Sequence, residues 1–136
     1  MGRSRQSAKQ AGAAFESLVA QGLRDALGDN NMQRAPRWGA VDKGDIVNLR
    51  VHGKQIVSQC KDVARVDLPA WTKAAKLQCV NAEALAGIVI HKRRGTRNPL
   101  EQWVTMTLSE LVAILTNCAA HDTTTKGTTA DERNNS

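Results

Sequence analysis

The chain has 136 residues, a length that predicts a single domain. Its 19 Lys and Arg exceed its 13 Asp and Glu, so the net charge of +6 at pH 7 indicates a polyanionic partner. Three widely separated cysteines give neither a disulfide framework nor a zinc pair, and no apolar run reaches the roughly 20 residues of a membrane helix. We therefore expect a cytoplasmic protein, or one of the host cytoplasm if its source is viral, without membrane contact.

Hydrophobic periodicity and turn residues divide the chain into elements in the order α-β-β-α-β-β-α. The helices show apolar residues at three- and four-residue spacing, and the strands are short β-rich or apolar runs. The predicted elements are helices over residues 7–27, 68–85 and 109–119 and strands over residues 45–51, 55–61, 87–91 and 102–107. This order predicts an α/β fold with a restriction-endonuclease-like arrangement, in which helices flank a central mixed sheet.

Polar residues and glycines mark the ends of these elements. Ser7 and Asp67 are predicted to cap the first two helices, which Gly28 and Gly87 should end. Residues 28–44, with their prolines, glycines and asparagines, are predicted to form a loop.

Three segments differ in composition. Residues 1–6 are predicted to form a flexible basic arm, residues 7–119 the folded domain and residues 120–136 a disordered polar tail. The tail holds two basic and three acidic residues, so removing its net −1 from +6 leaves +7 on residues 1–119. The positive charge therefore belongs to the domain and its arm.

The predicted hairpin gathers three chemically suited side chains. Alternation along a strand puts Gln59 and Lys61 on one face and Cys60 on the other. If residues 52–54 form a three-residue loop, Asp45 lies opposite Lys61 and joins that face, whereas a two-residue loop would place Asp45 with Cys60. The hypothesis of a single site therefore predicts a three-residue loop.

An acid, an amide oxygen and an amine in one patch suit metal-assisted hydrolysis of a phosphodiester bond. Asp45 and Gln59 would supply oxygen ligands to Mg²⁺, for which Mn²⁺ can substitute, and the backbone carbonyl of Cys60 a third. Such a cation polarises the phosphate, while Lys61 would orient the attacking water or stabilise developing charge. Asp42 is a further acid, three residues before Asp45, that could share the metal role. The three histidines, His52, His91 and His121, show no metal-binding spacing and are interpreted as surface or strand residues.

The hairpin resembles the split D…(D/E/Q)xK signature of the restriction-endonuclease-like, or PD-(D/E)XK, nucleases, in Gly44-Asp45-Ile46-Val47 and Val57-Ser58-Gln59-Cys60-Lys61. The resemblance covers about residues 8–119. The short chain, the N-terminal helix with its glutamate and the motif itself are most similar to archaeal-type Holliday junction resolvases and Mrr-like nucleases. Gln59 stands where most resolvases have an acid, a replacement that is typical of the Mrr-like branch.

This resemblance implies a catalytic set of Glu16, Asp45, Gln59 and Lys61, in which Glu16 reaches the metal directly or through water. It implies an Mg²⁺-dependent endonuclease that cuts branched DNA, a Holliday junction resolvase of recombination, repair or replication. It also implies a homodimer, because two symmetric nicks need two sites related by a two-fold axis. The alternatives are an Mrr-like or repair nuclease of duplex DNA or DNA ends, and a DNA-binding module that kept the fold without cleavage.

The sequence offers several basic residues for contact with DNA phosphates. They are Arg3, Arg5, Lys9, Arg34, Arg37, Lys92, Arg93, Arg94 and Arg97. Trp71 and Trp103 are predicted to pack in the core or at an interface, and the role of Trp38 stays open. No Gly-rich phosphate loop or nucleotide fingerprint occurs in the sequence, so no nucleotide cofactor is expected.

Overall fold

A computed structural model describes residues 4–35 and 44–121. Arg3, Arg37, Trp38, Asp42 and the tail from residue 122 onwards lie outside the described residues. The elements in chain order are helix α1 (Arg5–Leu27), strands β1 (Gln33–Arg34), β2 (Ile46–Val47), β3 (Arg50–Val51) and β4 (Lys54–Lys61), helix α2 (Leu68–Asn81), strand β5 (Ala86–His91), a 3₁₀ turn (Pro99–Glu101), strand β6 (Trp103–Thr105) and helix α3 (Leu108–Thr116).

The strands form one mixed sheet in the order β1-β2-β4-β5-β6, and β3 pairs with β4 beside β2. Strands β4 and β5 run parallel, with Cys60 opposite Ile90, whereas the other paired strands run antiparallel. A parallel pair needs a crossover, and α2 supplies it. The predicted α/β class with a mixed sheet is therefore confirmed. No helix within the described residues is long and apolar enough to cross a membrane.

The two faces of the sheet carry different helices. Phe15 of α1 belongs to the same buried cluster as Ile46, Cys60 and Ile90, and Ile114 of α3 packs against that cluster. On the opposite face, Trp71 and Ala75 of α2 pack against Val89, and Cys79 packs against Val57. We call these the α1 face and the α2 face. Trp71 is buried, which agrees with the first of its two predicted positions, the core or an interface.

The predicted ends of the helices need correction. Helix α1 begins at Arg5 rather than residue 7, because the hydroxyl of Ser4, not Ser7, caps it by accepting from the Ser7 N–H at 3.1 Å. The basic arm therefore cannot extend to residue 6. Gly28 ends α1 as predicted. Asp67 caps α2 as predicted, through a 3.2 Å bond from the Ala70 N–H.

The second and third helices are shorter than predicted. Helix α2 ends at Asn81 rather than near residue 85, because Glu83 has a positive φ of 51° and the Leu85 N–H already donates to the Gln55 carbonyl of the sheet. Helix α3 begins one residue before Ser109 and ends at Thr116, where Asn117 adopts a left-handed conformation.

The predicted strands also change. Residues 28–44 are not loop throughout, since Gln33–Arg34 form β1 and pair with β2. The predicted strand over residues 45–51 is divided into β2 and β3 by Asn48, whose φ is 69°. The last strand covers only Trp103–Thr105 of the predicted residues 102–107.

Candidate functional site

The turn of the hairpin has two residues, so the predicted three-residue loop is wrong. Val51 lies opposite Lys54, and both His52 and Gly53 have positive φ values, 50° and 77°. Such turns match the right-handed twist of paired strands and favour glycine at the second position. If the two strands were paired regularly from this turn onwards, Asp45 would lie on the face of Cys60.

A β-bulge at Asn48 changes that outcome. Arg50 lies opposite Gln55, yet Ile46 lies opposite Ser58, so three residues on one strand span two on the other. The side-chain amide of Asn48 donates to the Asn31 carbonyl at 2.7 Å and holds the bulge. The extra residue shifts the register by one.

This shift in register returns Asp45 to the predicted face, that of Gln59 and Lys61. Ile46, opposite Ser58, is buried in the cluster of the α1 face. Asp45 directly precedes β2, and extending the alternation by this one residue gives it the parity of Gln59 and Lys61, whose strand neighbour Cys60 faces α1. The structure thus brings Asp45 beside Gln59, rather than opposite Lys61 as predicted.

Asp45 is fixed to β4 by two hydrogen bonds. Its N–H donates to the Ser58 carbonyl and its Oδ2 accepts from the Cys60 N–H, each at 2.7 Å. Gly44 makes this approach possible, because a Cβ there would lie 2.9 Å from Val57 Cγ1 and 3.0 Å from the Ser58 oxygen, and its φ is 101°. The carboxylate is therefore held beside β4 at the point where β2 begins.

Gln59 presents an unsatisfied oxygen next to this carboxylate. Its Oε1 is buried and has no hydrogen-bond partner in the part of the chain that the structure describes. An acceptor buried without a partner costs about 1–3 kcal/mol. A bound cation or an ordered water would remove this cost, as it would for Ser58 Oγ on the other face of β4.

Lys61 ends β4 at the same edge of the sheet. It lies opposite His91 at the end of β5, and its carbonyl accepts from the Lys92 N–H at 2.9 Å. The Cys60 carbonyl points to the side of its own N–H, and so towards Asp45, because both groups of a strand residue face the same neighbour. The register therefore assigns the Asp45 carboxylate, the Gln59 amide, the Cys60 carbonyl and the Lys61 amine to the carboxyl end of β4.

His91 forms a support beside Lys61 that sequence reasoning did not find. Its Nε2 lies 2.7 Å from Thr105 Oγ1, and its ring centroid lies 5.3 Å from that of Trp71. Burial lowers the pKa of His91 below its ordinary value of 6.5. In the sequence, His91 is recognisable only as the last residue of an apolar strand. Nothing in the sequence indicates that it lies opposite Lys61.

The lowered pKa of His91 predicts a loss of stability on acidification. As the pH falls below 6.5, the unfolded chain takes up the proton before the folded chain does, so the free energy of unfolding decreases until the folded pKa is passed. Thermal unfolding between pH 7.5 and 5.5 should therefore show a steeper decrease in Tm for the wild type than for His91→Gln. Parallel curves would contradict this role of His91.

Glu16 is placed by α1 and by β1. Its side chain is 5% exposed, and its Oε1 lies 3.3 Å from the Nε of Arg34. Arg34 lies opposite Ile46 and therefore shares the α1 face. Glu16 thus approaches the edge of the sheet from the α1 side, whereas Gln59 and Lys61 project to the α2 side. Its catalytic role stays a prediction.

The predicted DNA-binding residues are divided between two regions. Arg5 and Lys9 are exposed and line a shallow groove on the first turns of α1, and Arg34 is engaged by Glu16. In the loop after β5, Arg94 Nη1 lies 3.0 Å from Oδ1 of Asp62, the residue that follows Lys61. This ion pair holds one basic side chain beside the candidate site.

The rest of that loop is ordered by its own contacts. The Arg93 guanidinium lies 4.8 Å from the centroid of the Trp103 ring and 3.3 Å from Glu101 Oε2. Lys92 Nζ donates to the Thr96 carbonyl at 2.8 Å, and Arg97 is exposed. Trp103 is half exposed under Arg93 rather than in the core.

The donors at the end of β4 suit a hard cation of low protein coordination. No group of three or more His, Cys, Asp and Glu that could hold a metal occurs within residues 4–35 and 44–121. Mg²⁺ does not need such a group, since it keeps several waters and substrate oxygens and takes one or two carboxylates. One carboxylate, the buried Gln59 oxygen and a backbone carbonyl fit that requirement.

No protein-family model matches the chain, and neither the curated proteins nor the solved structures contain a match to it.

Proposed function

We propose that this protein is an Mg²⁺-dependent DNA endonuclease with a restriction-endonuclease-like core, and that its substrate is branched DNA such as a four-way junction. The observation that supports the proposal most directly is the buried Oε1 of Gln59, which has no hydrogen-bond partner among residues 4–35 and 44–121 and lies beside the fixed carboxylate of Asp45. The excess of Lys and Arg supports a nucleic-acid substrate.

Asp45, Gln59 and the carbonyl of Cys60 would hold the cation. When bound, Mg²⁺ supplies Lewis-acid polarisation of the phosphate, and Mn²⁺ can take its place. The hydrogen bond from the Cys60 N–H orients the Asp45 carboxylate before any ligand arrives. Preorganisation of this kind avoids reorganisation during the reaction.

Lys61 supplies the positive charge of the site. Its position two residues after Gln59 on the same strand face would put its amine near the oxygens that would hold the cation. The amine can donate a hydrogen bond to a water or to a phosphate oxygen that gains charge. Arg94, held by Asp62, brings a second cation close to the same strand end.

A DNA-binding module without cleavage is the second candidate. Two observations favour it: the motif holds an amide instead of a second carboxylate at Gln59, and Glu16 is engaged by Arg34 on the α1 face. With one carboxylate the site attracts a divalent cation less strongly than with two.

The experiment that tests the proposal compares a labelled four-way junction with linear duplex and single-stranded DNA, in Mg²⁺ or in EDTA. Paired symmetric cuts in the junction that require Mg²⁺ are expected. Metal-dependent cutting of linear duplex or of DNA ends would instead support the Mrr-like or repair nuclease. Binding without cleavage of any substrate would overturn the enzyme proposal and leave the binding module.

Gln59→Glu should increase the affinity for Mg²⁺. The substitution adds a carboxylate beside Asp45, and a tenfold gain in affinity, about 1.4 kcal/mol, is expected from the added attraction. Calorimetric titration with Mg²⁺ measures the change independently of cleavage. Gln55→Glu is the matched control, because it introduces the same charge four residues earlier on the same strand face. Equal Mg²⁺ affinities for Gln59→Glu and the control would contradict the role of Gln59 as a ligand.

A further inference from the structure

Helix α3 has two apolar faces, and one of them is exposed. Successive residues of a helix turn by about 100°, so positions i, i+3, i+4 and i+7 form one stripe. Ala113 and the buried Glu110, whose Oε2 accepts from the Gly87 N–H at 2.9 Å, face the sheet. The opposite face carries an exposed stripe consisting of Leu108, Leu111, Val112 and Leu115.

This α3 stripe exposes large side chains. Leu108 is 75% exposed and Leu115 74%, with Leu111 at 39% and Val112 at 48%. Together with Val104 of the edge strand β6, they expose on the order of 500 Å², a size at which the largest apolar patch of a soluble protein is often functional. A standard interface buries about 800 Å² per partner, of which somewhat more than half is apolar. The α3 stripe is therefore large enough for the apolar centre of a stable interface.

The charge distribution identifies what fits this surface. None of the 19 Lys and Arg falls between Arg97 and Lys126, and the one acid within residues 103–120, Glu110, is buried. The α3 stripe therefore carries no charge of its own on a chain of net charge +6, although Lys54 lies at the C-terminal end of α3, where its Nζ donates to the Asn117 carbonyl at 2.6 Å. Two positive copies can meet on such a stripe with little repulsion between the stripes themselves.

The chain itself does not provide a cover close in sequence. Residues 122–136, which follow α3, contain no Leu, Ile, Val, Met, Phe or Trp and so cannot bury the stripe. A stripe of one residue class at i, i+3, i+4 and i+7 can pack against a copy of itself about a two-fold axis.

We infer that the α3 stripe is a self-association surface and that the protein is a homodimer in which α3 of one protomer packs on α3 of its partner. The inference locates an interface that the family resemblance left undefined, and it does not depend on the nuclease proposal. Its test uses the free protein without DNA or metal, so the failure of either proposal is distinguishable from that of the other.

Sedimentation velocity of the full chain at about 100 µM, above the Kd of a standard-size interface, should give twice the 14.7 kDa mass of one chain. The double substitution Leu108→Glu/Leu115→Glu should raise the Kd at least about 100-fold and give a monomer, because it places charges in the apolar centre. Both positions are exposed, so the far-UV circular dichroism should not change.

The matched control is Leu77→Glu/Val80→Glu on α2, which replaces two residues that are 62% and 52% exposed on another helix. This control should stay dimeric. A monomeric wild type would overturn the inference. A dimer that survives Leu108→Glu/Leu115→Glu, or is lost equally in the control, would overturn it as well.

Discussion

Asp45→Asn and Lys61→Ala should each lower the rate of DNA cleavage by about 10²- to 10⁴-fold, the range for loss of an electrostatic or proton-transfer group. Asp45→Asn removes the negative charge that attracts the cation, and Lys61→Ala removes the amine that stabilises developing charge. Single-turnover cleavage of the labelled junction measures both effects. They are the largest functional effects that we expect from any single substitution.

The choice of asparagine at position 45 separates chemistry from folding. An asparagine keeps an acceptor for the Cys60 N–H, which the wild-type carboxylate accepts at 2.7 Å. Asp45→Ala would leave that N–H without this partner and cost about 1–3 kcal/mol in stability. Thermal unfolding of Asp45→Asn should therefore match the wild type within about 1 kcal/mol.

Lys76→Ala provides the charge-matched control for Lys61→Ala, because Lys76 is an exposed lysine of α2. The control should cleave like the wild type, and both site variants should still bind the junction when Mg²⁺ is withheld. Full activity in Lys61→Ala would remove this residue from the mechanism. Loss of binding in step with cleavage would show instead that Asp45 and Lys61 act only by holding DNA.

The arrangement of Asp45, Gln59 and Lys61 on one face was predictable, but the reason for it was not. The prediction relied on a three-residue turn, whereas the chain uses a two-residue turn and a bulge at Asn48. The two-residue turn and the bulge each displace the pairing of the strands by one residue, and the two displacements cancel. A single asparagine among β-formers carries little signal for a bulge, because its hydrogen bond to Asn31 depends on a distant part of the chain.

Contacts between distant segments account for the other differences. Strand β1 consists of Gln33 and Arg34 only, too short for any alternation to be visible. Its pairing nevertheless puts Arg34 against Glu16 and thereby determines which face that acid approaches. The elements with strong local signals, such as the Asp67 cap and the apolar run of β5, were predicted close to their observed bounds.

The proposed dimer leaves the candidate site accessible. Helix α3 packs against the cluster of the α1 face through Ile114, whereas Gln59 and Lys61 project to the α2 face. Two protomers joined through the α3 stripe would therefore present two sites related by a two-fold axis, neither of them covered by the interface. That symmetry is what paired cuts in a four-way junction require.

Gly87→Ala should destabilise the fold by about 3 kcal/mol, at the upper end of the usual effect of overpacking. A Cβ at position 87 would lie 2.4 Å from the Ala75 carbonyl oxygen and 2.9 Å from its carbon. These are backbone atoms of α2, so no side chain can rotate away to relieve the contact. Helix α2 would have to move off β5.

A loss of this size should lower the Tm by about 10 °C for a domain of this length. Gly12→Ala is the matched control with the opposite expected sign, because a Cβ there meets nothing within 4 Å and alanine stabilises a helix interior by about 0.5–1 kcal/mol over glycine. Equal Tm values for Gly87→Ala and the wild type would contradict the close packing of α2 on β5. Because Gly87 lies opposite Val57, the absence of a side chain there lets α2 pack closely on the sheet face to which Gln59 and Lys61 also belong.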